Sequence, residues 1–77
     1  MIVYERLWKT MRQKKITYYQ LEKHYGISTN TLRRLQKNQN ISTYTLNKLC
    51  YILACNLHDI VEFREVQGEE RPVKRIP

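Results

Sequence analysis

The feature that most constrains the fold is a short turn between two apolar-periodic segments, within the stretch KHYGISTN at residues 23–30. Gly26 can adopt the left-handed backbone conformation that ends a helix without a steric penalty. Ile27 supplies one apolar side chain to bury inside the turn, and Ser28 can cap the helix that follows. Two helices that cross at roughly 90–120° through a turn of three or four residues need these features. The stretch therefore predicts a helix pair joined by a tight turn.

Capping signals and inward-facing aliphatic residues place a helix on each side of this turn. Residues 17–20, Thr-Tyr-Tyr-Gln, have the capping-box pattern that begins a helix. Residues 28–37 follow the turn, with leucines at helical spacing and polar or basic residues between them. This arrangement predicts a helix-turn-helix whose second, recognition helix spans residues 28–37. The predicted core positions of the pair are Leu21, Tyr25, Ile27, Leu32 and Leu35.

Three further helices are predicted around this pair. An amphipathic first helix ends near residues 14–15, an apolar fourth helix is capped at residues 42–43, and a short fifth helix covers residues 56–60. The apolar residues of the first helix are Val3, Tyr4, Leu7, Trp8 and Met11, with Trp8 as an anchor in or beside the core. We therefore predict an all-α fold, a compact bundle of about five short helices over residues 1–65. Residues 66–77 contain glycine, two prolines and mixed charge, which predicts a flexible C-terminal tail.

The positive charge of the chain is concentrated in the predicted domain. The 77 residues include 14 Lys and Arg against 7 Asp and Glu, a formal net charge of +7. The acidic residues of the first sixty positions are only Glu5, Glu22 and Asp59, so this part carries all of the excess, and residues 61–77 are balanced. Such a domain is attracted to polyanions, although an acidic protein or an anionic membrane surface would suit the same charge.

The two cysteines, Cys50 and Cys55, are predicted to be reduced, half-buried side chains. On one helix, their spacing of five residues would turn the thiols about 140° apart, which does not favour a disulfide. With His58 they do not form a usual zinc-binding spacing. We interpret His24 and His58 as structural residues, and the sequence predicts no metal site and no cofactor.

Several classes of protein are disfavoured. The apolar runs are far shorter than the roughly 20 residues that span a bilayer. Charged residues interrupt the N-terminal segment before the core of a signal peptide forms, so we expect a cytoplasmic location. Motifs of nucleophilic catalysis, phosphate-binding glycine loops and zinc proteases are absent from the sequence, so we expect no enzymatic activity. No small-molecule ligand is implied.

The segment at residues 16–60, ITYYQLEKHYGISTNTLRRLQKNQNISTYTLNKLCYILACNLHDI, resembles the Cro and phage-repressor type of helix-turn-helix regulators, also called the xenobiotic-response-element family. Its last part, TLNKLCYILACNLHDIVEF, is similar to the fourth and fifth helices of a small single-domain subgroup from low-GC bacteria, phages and mobile elements. The resemblance implies a lambda-repressor-like DNA-binding domain. Two positions depart from the family pattern, which has glutamine in place of Tyr18 and alanine in place of Glu22.

By position in the motif, the resemblance implies which side chains contact DNA. The expected base contacts come from Thr29, Asn30, Arg33 and Arg34. The expected phosphate contacts come from Tyr18, Ser28, Lys37, Asn38 and Asn40. The chemistry of these residues agrees with such roles, because asparagine can pair with adenine, arginine can pair with guanine, and a threonine methyl group can touch thymine.

Three positions leave alternatives open. Tyr18 either contacts a phosphate or packs at the start of its helix. The Glu22 carboxylate either reaches solvent or holds the two helices slightly apart. The paired arginines at residues 33–34 either contact DNA or form a solvated helix face.

The sequence thus predicts a transcriptional regulator, expected to be a repressor, that binds double-stranded DNA and places residues 28–37 in the major groove. The alternative is a protein-interaction module on the same fold, such as an antitoxin-like or anti-repressor partner. RNA binding is a weaker third hypothesis. A homodimer could form through Val61, Phe63 and Val66, in a strand or a helix extension. If Phe63 packs inside its own chain, the protein is a monomer.

Overall fold

Four α-helices and one two-stranded antiparallel sheet form residues 1–66, the part of the chain that this computed structural model describes. In chain order the elements are β1 (Ile2–Val3), α1 (Glu5–Lys14), α2 (Tyr18–Lys23), α3 (Thr29–Gln36), α4 (Thr43–Leu53), one 3₁₀ turn (Leu57–Asp59) and β2 (Glu62–Phe63). The helical architecture confirms the predicted fold class, with the fifth helix reduced to the 3₁₀ turn. The predicted tail at residues 66–77 lies outside the described residues, apart from Val66.

The helix boundaries follow the capping signals of the sequence. At the start of α2 the Thr17 N–H donates to Gln20 Oε1 at 2.8 Å and the Gln20 N–H donates to Thr17 Oγ1 at 3.1 Å, which completes the predicted capping box. Ser28 and Ser42 cap α3 and α4, each by accepting a 3.1 Å hydrogen bond from the backbone N–H three residues later. α1 ends at Lys14, and its C-cap residue Lys15 has a left-handed backbone with φ 57°. These bonds satisfy polar groups that the ends of a helix would otherwise leave unpaired.

The core is built from aliphatic side chains that all four helices contribute. The most completely buried side chains are Leu7, Leu21, Leu32, Leu35, Leu49, Leu53 and Ile60. Ile27 joins them from the turn before α3, and Trp8 is half-buried against the same cluster, as predicted. None of the helices in residues 1–66 has the length and hydrophobicity that crossing a membrane would require.

The sheet joins the two ends of the described chain. A strand around Phe63 is one of the alternatives that the sequence offers, but the sequence does not predict its pairing with the N-terminal segment. The paired residues are Ile2 with Phe63 and Val3 with Glu62. Beyond the strands, the N-terminal amino group of Met1 donates to the Arg64 carbonyl at 2.7 Å, and the Arg64 N–H donates to the Met1 carbonyl at 2.8 Å. Val3 therefore belongs to a strand, and the first helix begins later than predicted, at Glu5.

Two expectations about side-chain direction are wrong because a helix ends earlier than they require. α2 ends at Lys23, so Tyr25 lies in the turn and is 40% exposed rather than inward-facing. α4 ends at Leu53, so helical rotation no longer sets the direction of Cys55. Both Cys55 and Cys50 are free thiols that line one groove, and they do not point apart as predicted.

Candidate nucleic-acid interface

The turn between α2 and α3 has the geometry predicted for Gly26. Gly26 has φ +72°, in the left-handed region that favours glycine. The Ile27 N–H donates to the Leu21 carbonyl at 2.9 Å, and the Ile27 side chain is only 4% exposed. The turn thus holds the start of α3 against α2 through one backbone hydrogen bond and one buried side chain.

Helix α3 has a buried face and an exposed face. Leu32 and Leu35 are completely buried, so the opposite side of the helix faces outward. The exposed residues of the helix and its C-terminal cap include Thr29, Asn30, Arg33, Arg34 and Lys37. The fold therefore brings all four predicted base-contact residues onto the accessible surface of one helix.

The basic residues of α3 form no ion pair with any residue in positions 1–66. The ion pairs of this part of the chain use other cationic residues, namely Arg6, Lys23, His58 and Arg64. Glu22 is the single acidic residue between positions 6 and 58. The surface around α3 consequently presents positive charge that attracts a polyanion.

The Glu22 carboxylate bridges α2 and the start of α3. Its Oε2 accepts a hydrogen bond of 2.6 Å from Thr29 Oγ1, and its Oε1 lies 3.3 Å from Lys23 Nζ. The Thr29 hydrogen bond, followed by that of Lys23, lowers the pKa of Glu22 from its ordinary value of 4.5. The Glu22 side chain is 28% exposed, so it is not fully solvated. It also does not lie between the helices without a hydrogen-bond partner, because it binds Thr29. The hydroxyl of Thr29 is thereby engaged, which leaves its methyl group for an outward contact.

Tyr18 packs on the first helix. Its ring stacks on Trp8 with 6.4 Å between the ring centroids and 23° between the ring planes. The side chain is half-buried against the hydrophobic core. Tyr18 is therefore a packing residue at the start of α2, while its contact with a phosphate stays a prediction.

Ser28 is occupied as the cap of α3. Its Oγ accepts from the Thr31 N–H at 3.1 Å and donates its proton to Thr31 Oγ1 at 2.9 Å. Because this hydroxyl is engaged inside the helix start, the phosphate contact predicted for Ser28 would need its backbone N–H group instead. Such N–H groups at helix starts are common partners of phosphate oxygens.

The loop after α3 is tied to the N-terminal segment of the chain. Asn38 has a left-handed backbone with φ 56°, and its Oδ1 accepts a 2.9 Å hydrogen bond from the Tyr4 N–H. The Tyr4 hydroxyl donates to the Gln39 carbonyl at 2.9 Å. Asn40 is exposed and lines a shallow cleft with Arg34 and Gln39. Asn38 thus has a structural role that the sequence does not predict, whereas Asn40 lies beside a basic side chain of α3.

Lys48 is a basic residue near the turn that the sequence does not single out. Its Nζ lies 3.7 Å from the position that a Cβ atom would occupy on Gly26. A lysine on the polar side of an apolar helix has no distinguishing sequence signal, because solvated lysines have the same pattern. Only the packing of α4 beside the turn brings this charge to the helix pair.

A larger groove lies away from α3, between α1, α4 and the 3₁₀ turn. Its lining is largely polar and includes Thr10, Gln13, Asn47, Asp59 and the two cysteines. In positions 1–66, no three His, Cys, Asp or Glu side chains are grouped so that they could hold a metal ion. The exposed face of α3 is the better candidate for a functional site, because charge, exposure and predicted contacts coincide there.

Comparison with known proteins supports this assignment. A family model described as the Cro/C1-type helix-turn-helix DNA-binding domain matches residues 6–65. A crystal structure of the transcriptional regulator VanUg is 33% identical in sequence and superposes with a TM-score of 0.73, covering 79% of this chain and 81% of that chain. A search of curated proteins found no match.

Proposed function

The chain belongs to the Cro/C1-type helix-turn-helix DNA-binding family, and from that membership we propose that it is a sequence-specific repressor that binds the major groove through α3. Members of this family are DNA-binding regulators rather than a class of enzymes. The solved structure with a similar fold is described as a transcriptional regulator, which agrees with a role in transcription.

The observation that carries the proposal is the division of α3 into two faces. Leu32 and Leu35 anchor the helix in the core, and the opposite face is polar and basic. A helix held in this way is presented as a rigid element, and the major groove is wide enough to admit one. Arginines on the outer face can then reach base edges without any loss of core packing.

Base contacts are proposed for the four exposed residues identified above. Asn30 would pair with adenine, and Arg33 or Arg34 would pair with guanine, because these side chains match the hydrogen-bonding edges of those bases. Thr29 would contact a thymine methyl group through its own methyl group, since its hydroxyl donates to Glu22.

Phosphate contacts are proposed for residues at the border of this face. They are Tyr18, Ser28, Lys37, Asn38 and Asn40. Asn38 would donate through its side-chain NH₂ group, because its carbonyl oxygen accepts from Tyr4. Lys48 adds a cation next to the turn and is proposed as a further electrostatic contributor.

We also propose that the protein binds DNA as a homodimer. Apolar side chains remain exposed around the terminal sheet: Met1 at 44%, Ile2 at 44%, Phe63 at 61% and Val66 at 42%. A second copy covering this patch would bury them and would add a second recognition helix. The two helices would then contact half-sites about 34 Å apart, one turn of the duplex.

In vitro selection from random duplexes, followed by a salt titration of the selected site, tests the proposal. We expect a two-fold symmetric site and an affinity that falls with salt, with log K decreasing by about 0.9 per phosphate neutralised for each unit of log salt. No enrichment of any sequence, together with no binding to duplex DNA in dilute buffer, would refute the proposal and favour a protein-interaction module instead.

A further inference from the structure

The end of α4 folds the chain back so that Cys55 returns to the last turn of the helix. Ala54 has φ 49° and ψ 53°, a left-handed conformation. The Cys55 N–H donates to the Cys50 carbonyl at 3.1 Å, and the Ala54 N–H donates to the Tyr51 carbonyl at 3.3 Å. This pair of hydrogen bonds defines a Schellman motif, in which the side chains at the positions of Cys50 and Cys55 commonly touch.

The two thiols are neighbours in the same environment. Cys50 and Cys55 are both half-buried, unbridged, and open to the groove between α1, α4 and the 3₁₀ turn. Burial raises the pKa of the Cys55 thiol, and the proximity of Cys50 and Asp59 raises it further, including through a hydrogen bond between the two thiols. The 3.1 Å backbone hydrogen bond also joins the two residues directly, and a disulfide requires such closeness because it spans α-carbons about 4.4–6.8 Å apart.

From this geometry we propose that Cys50 and Cys55 form a site of reversible oxidation, in which a peroxide converts the dithiol into an intrachain disulfide. The reaction begins when the Cys50 sulfur, as the thiolate, attacks one peroxide oxygen. With hydrogen peroxide the O–O bond breaks, Cys50 becomes a sulfenic acid, and the leaving hydroxide takes a proton to form water. The Cys55 sulfur then attacks the Cys50 sulfur and releases a second water. Two thiols lose two electrons and two protons, and one peroxide gains them.

The order of attack follows from the surroundings of the two sulfurs. Burial, followed by the proximity of Cys50 and Asp59, raises the pKa of the Cys55 thiol, so Cys55 suits the second, resolving step. Cys50 lies on the last turn of α4, where it faces Cys55 across the motif. A thiol such as glutathione would reverse the reaction by attacking the disulfide through a mixed-disulfide intermediate.

The proposal is tested by treating the folded protein with hydrogen peroxide and then alkylating the remaining thiols. We expect both cysteines to escape alkylation together, with the mass of the protein lowered by two hydrogens and no covalent dimer formed. Dithiothreitol should restore both thiols. Two results would overturn the proposal. One is independent oxidation of the two cysteines to sulfinic acids, and the other is that both thiols still react with the alkylating reagent after the peroxide treatment.

A relocated thiol provides the matched control. The double substitution C50S/Y51C keeps two cysteines but moves one of them from position 50 to position 51. Position 51 is 81% exposed and lies on a different side of α4. We expect this variant to form no intrachain bridge under the same treatment, with an unchanged helical circular-dichroism spectrum. If it bridges as readily as the native chain, proximity in the Schellman motif is not the cause. Neither result depends on whether the protein binds DNA.

Discussion

Glu22 and Thr29 join the two helices of the motif through a 2.6 Å hydrogen bond from the threonine hydroxyl to the carboxylate. The family pattern has alanine at the position of Glu22, so this bond replaces close helix packing with a polar link. The link spans the turn at Gly26 and attaches the first residue of α3 to α2. It therefore fixes the start of α3 relative to α2.

Glu22→Gln should lower stability at neutral pH but not in acid. The folded protein lowers the pKa of Glu22, mainly through Thr29, so the stabilisation is present above its ordinary value of 4.5 and is lost as pH falls through the lower, folded value. Thermal unfolding at pH 7 should give a lower midpoint for the variant, and the two midpoints should converge as pH falls below the folded-state pKa of Glu22.

The comparison with the variant isolates this group from other acidic residues. Glu5 also has a lowered pKa, because Arg64 donates to it, so the native protein loses stability in acid for more than one reason. Only the difference between the two proteins reports on Glu22. Equal midpoints at pH 7 would show that the Thr29 bond adds nothing to stability.

Gly26→Ala should destabilise the fold by about 1–2 kcal/mol, the cost of a side chain in the left-handed region. A Cβ atom there would meet Lys48 Nζ at 3.7 Å, which is an ordinary contact, so the cost comes from the backbone alone. Ala54→Gly reverses the change at another left-handed position (φ 49°) and should stabilise by about 0.5–1 kcal/mol. Urea denaturation measures both. Opposite signs to these would contradict the assigned backbone conformations.

Asn30→Ala and Arg33→Ala should each weaken binding to the selected DNA site by about 1–3 kcal/mol, with little effect on binding to random duplex. Lys37→Ala should weaken both about equally, because a phosphate contact carries no sequence information. Arg12→Ala removes the same charge from α1 and should leave base preference unchanged. Fluorescence anisotropy on matched specific and random duplexes provides the measurement. Small and equal effects for all four variants would mean that α3 is not the recognition helix.

Phe63→Ser should convert a dimer into a monomer, because Phe63 is the most exposed apolar side chain around the terminal sheet at 61%. Light scattering should give a mass near twice 9.4 kDa for the native chain and near 9.4 kDa for the variant. Leu57→Ser is the control, since Leu57 is 53% exposed but lies in the 3₁₀ turn, outside the sheet. A native mass that stays at 9.4 kDa at every concentration would remove the dimer proposal.

Thr10→Val should lower the free energy of unfolding by about 1–3 kcal/mol, because it leaves the Asp59 carbonyl without its hydrogen-bond donor. The Thr10 hydroxyl donates to the Asp59 carbonyl at 2.7 Å, and the residue is only 6% exposed. Thr10→Ser keeps the hydroxyl donor and should lower the free energy of unfolding by less. Urea denaturation of the three proteins separates the hydrogen bond from the methyl group. A valine variant as stable as the native chain would show that the hydrogen bond adds no net stability.

The local structure was predictable because its causes lie close together in the sequence. The capping box at Thr17, the left-handed turn at Gly26 and the buried positions of α3 each depend on residues within about one or two helical turns. The same information located the candidate DNA-contacting face, since helical spacing alone separates Leu32 and Leu35 from the residues between them.

The tertiary structure alone decided the contacts between distant parts of the chain. Met1 and Arg64 are 63 positions apart, and two-residue strands have no recognisable pattern of their own, so their pairing forms only when the helices bring the chain ends together. The bond of Asn38 to Tyr4 and the approach of Lys48 to Gly26 arise in the same way. The return of Cys55 to Cys50 is local, and it depends on the residue at which α4 ends. Sequence periodicity determines which side of a helix is buried, but the packing of elements and the residue at which a helix stops determine what each side chain meets.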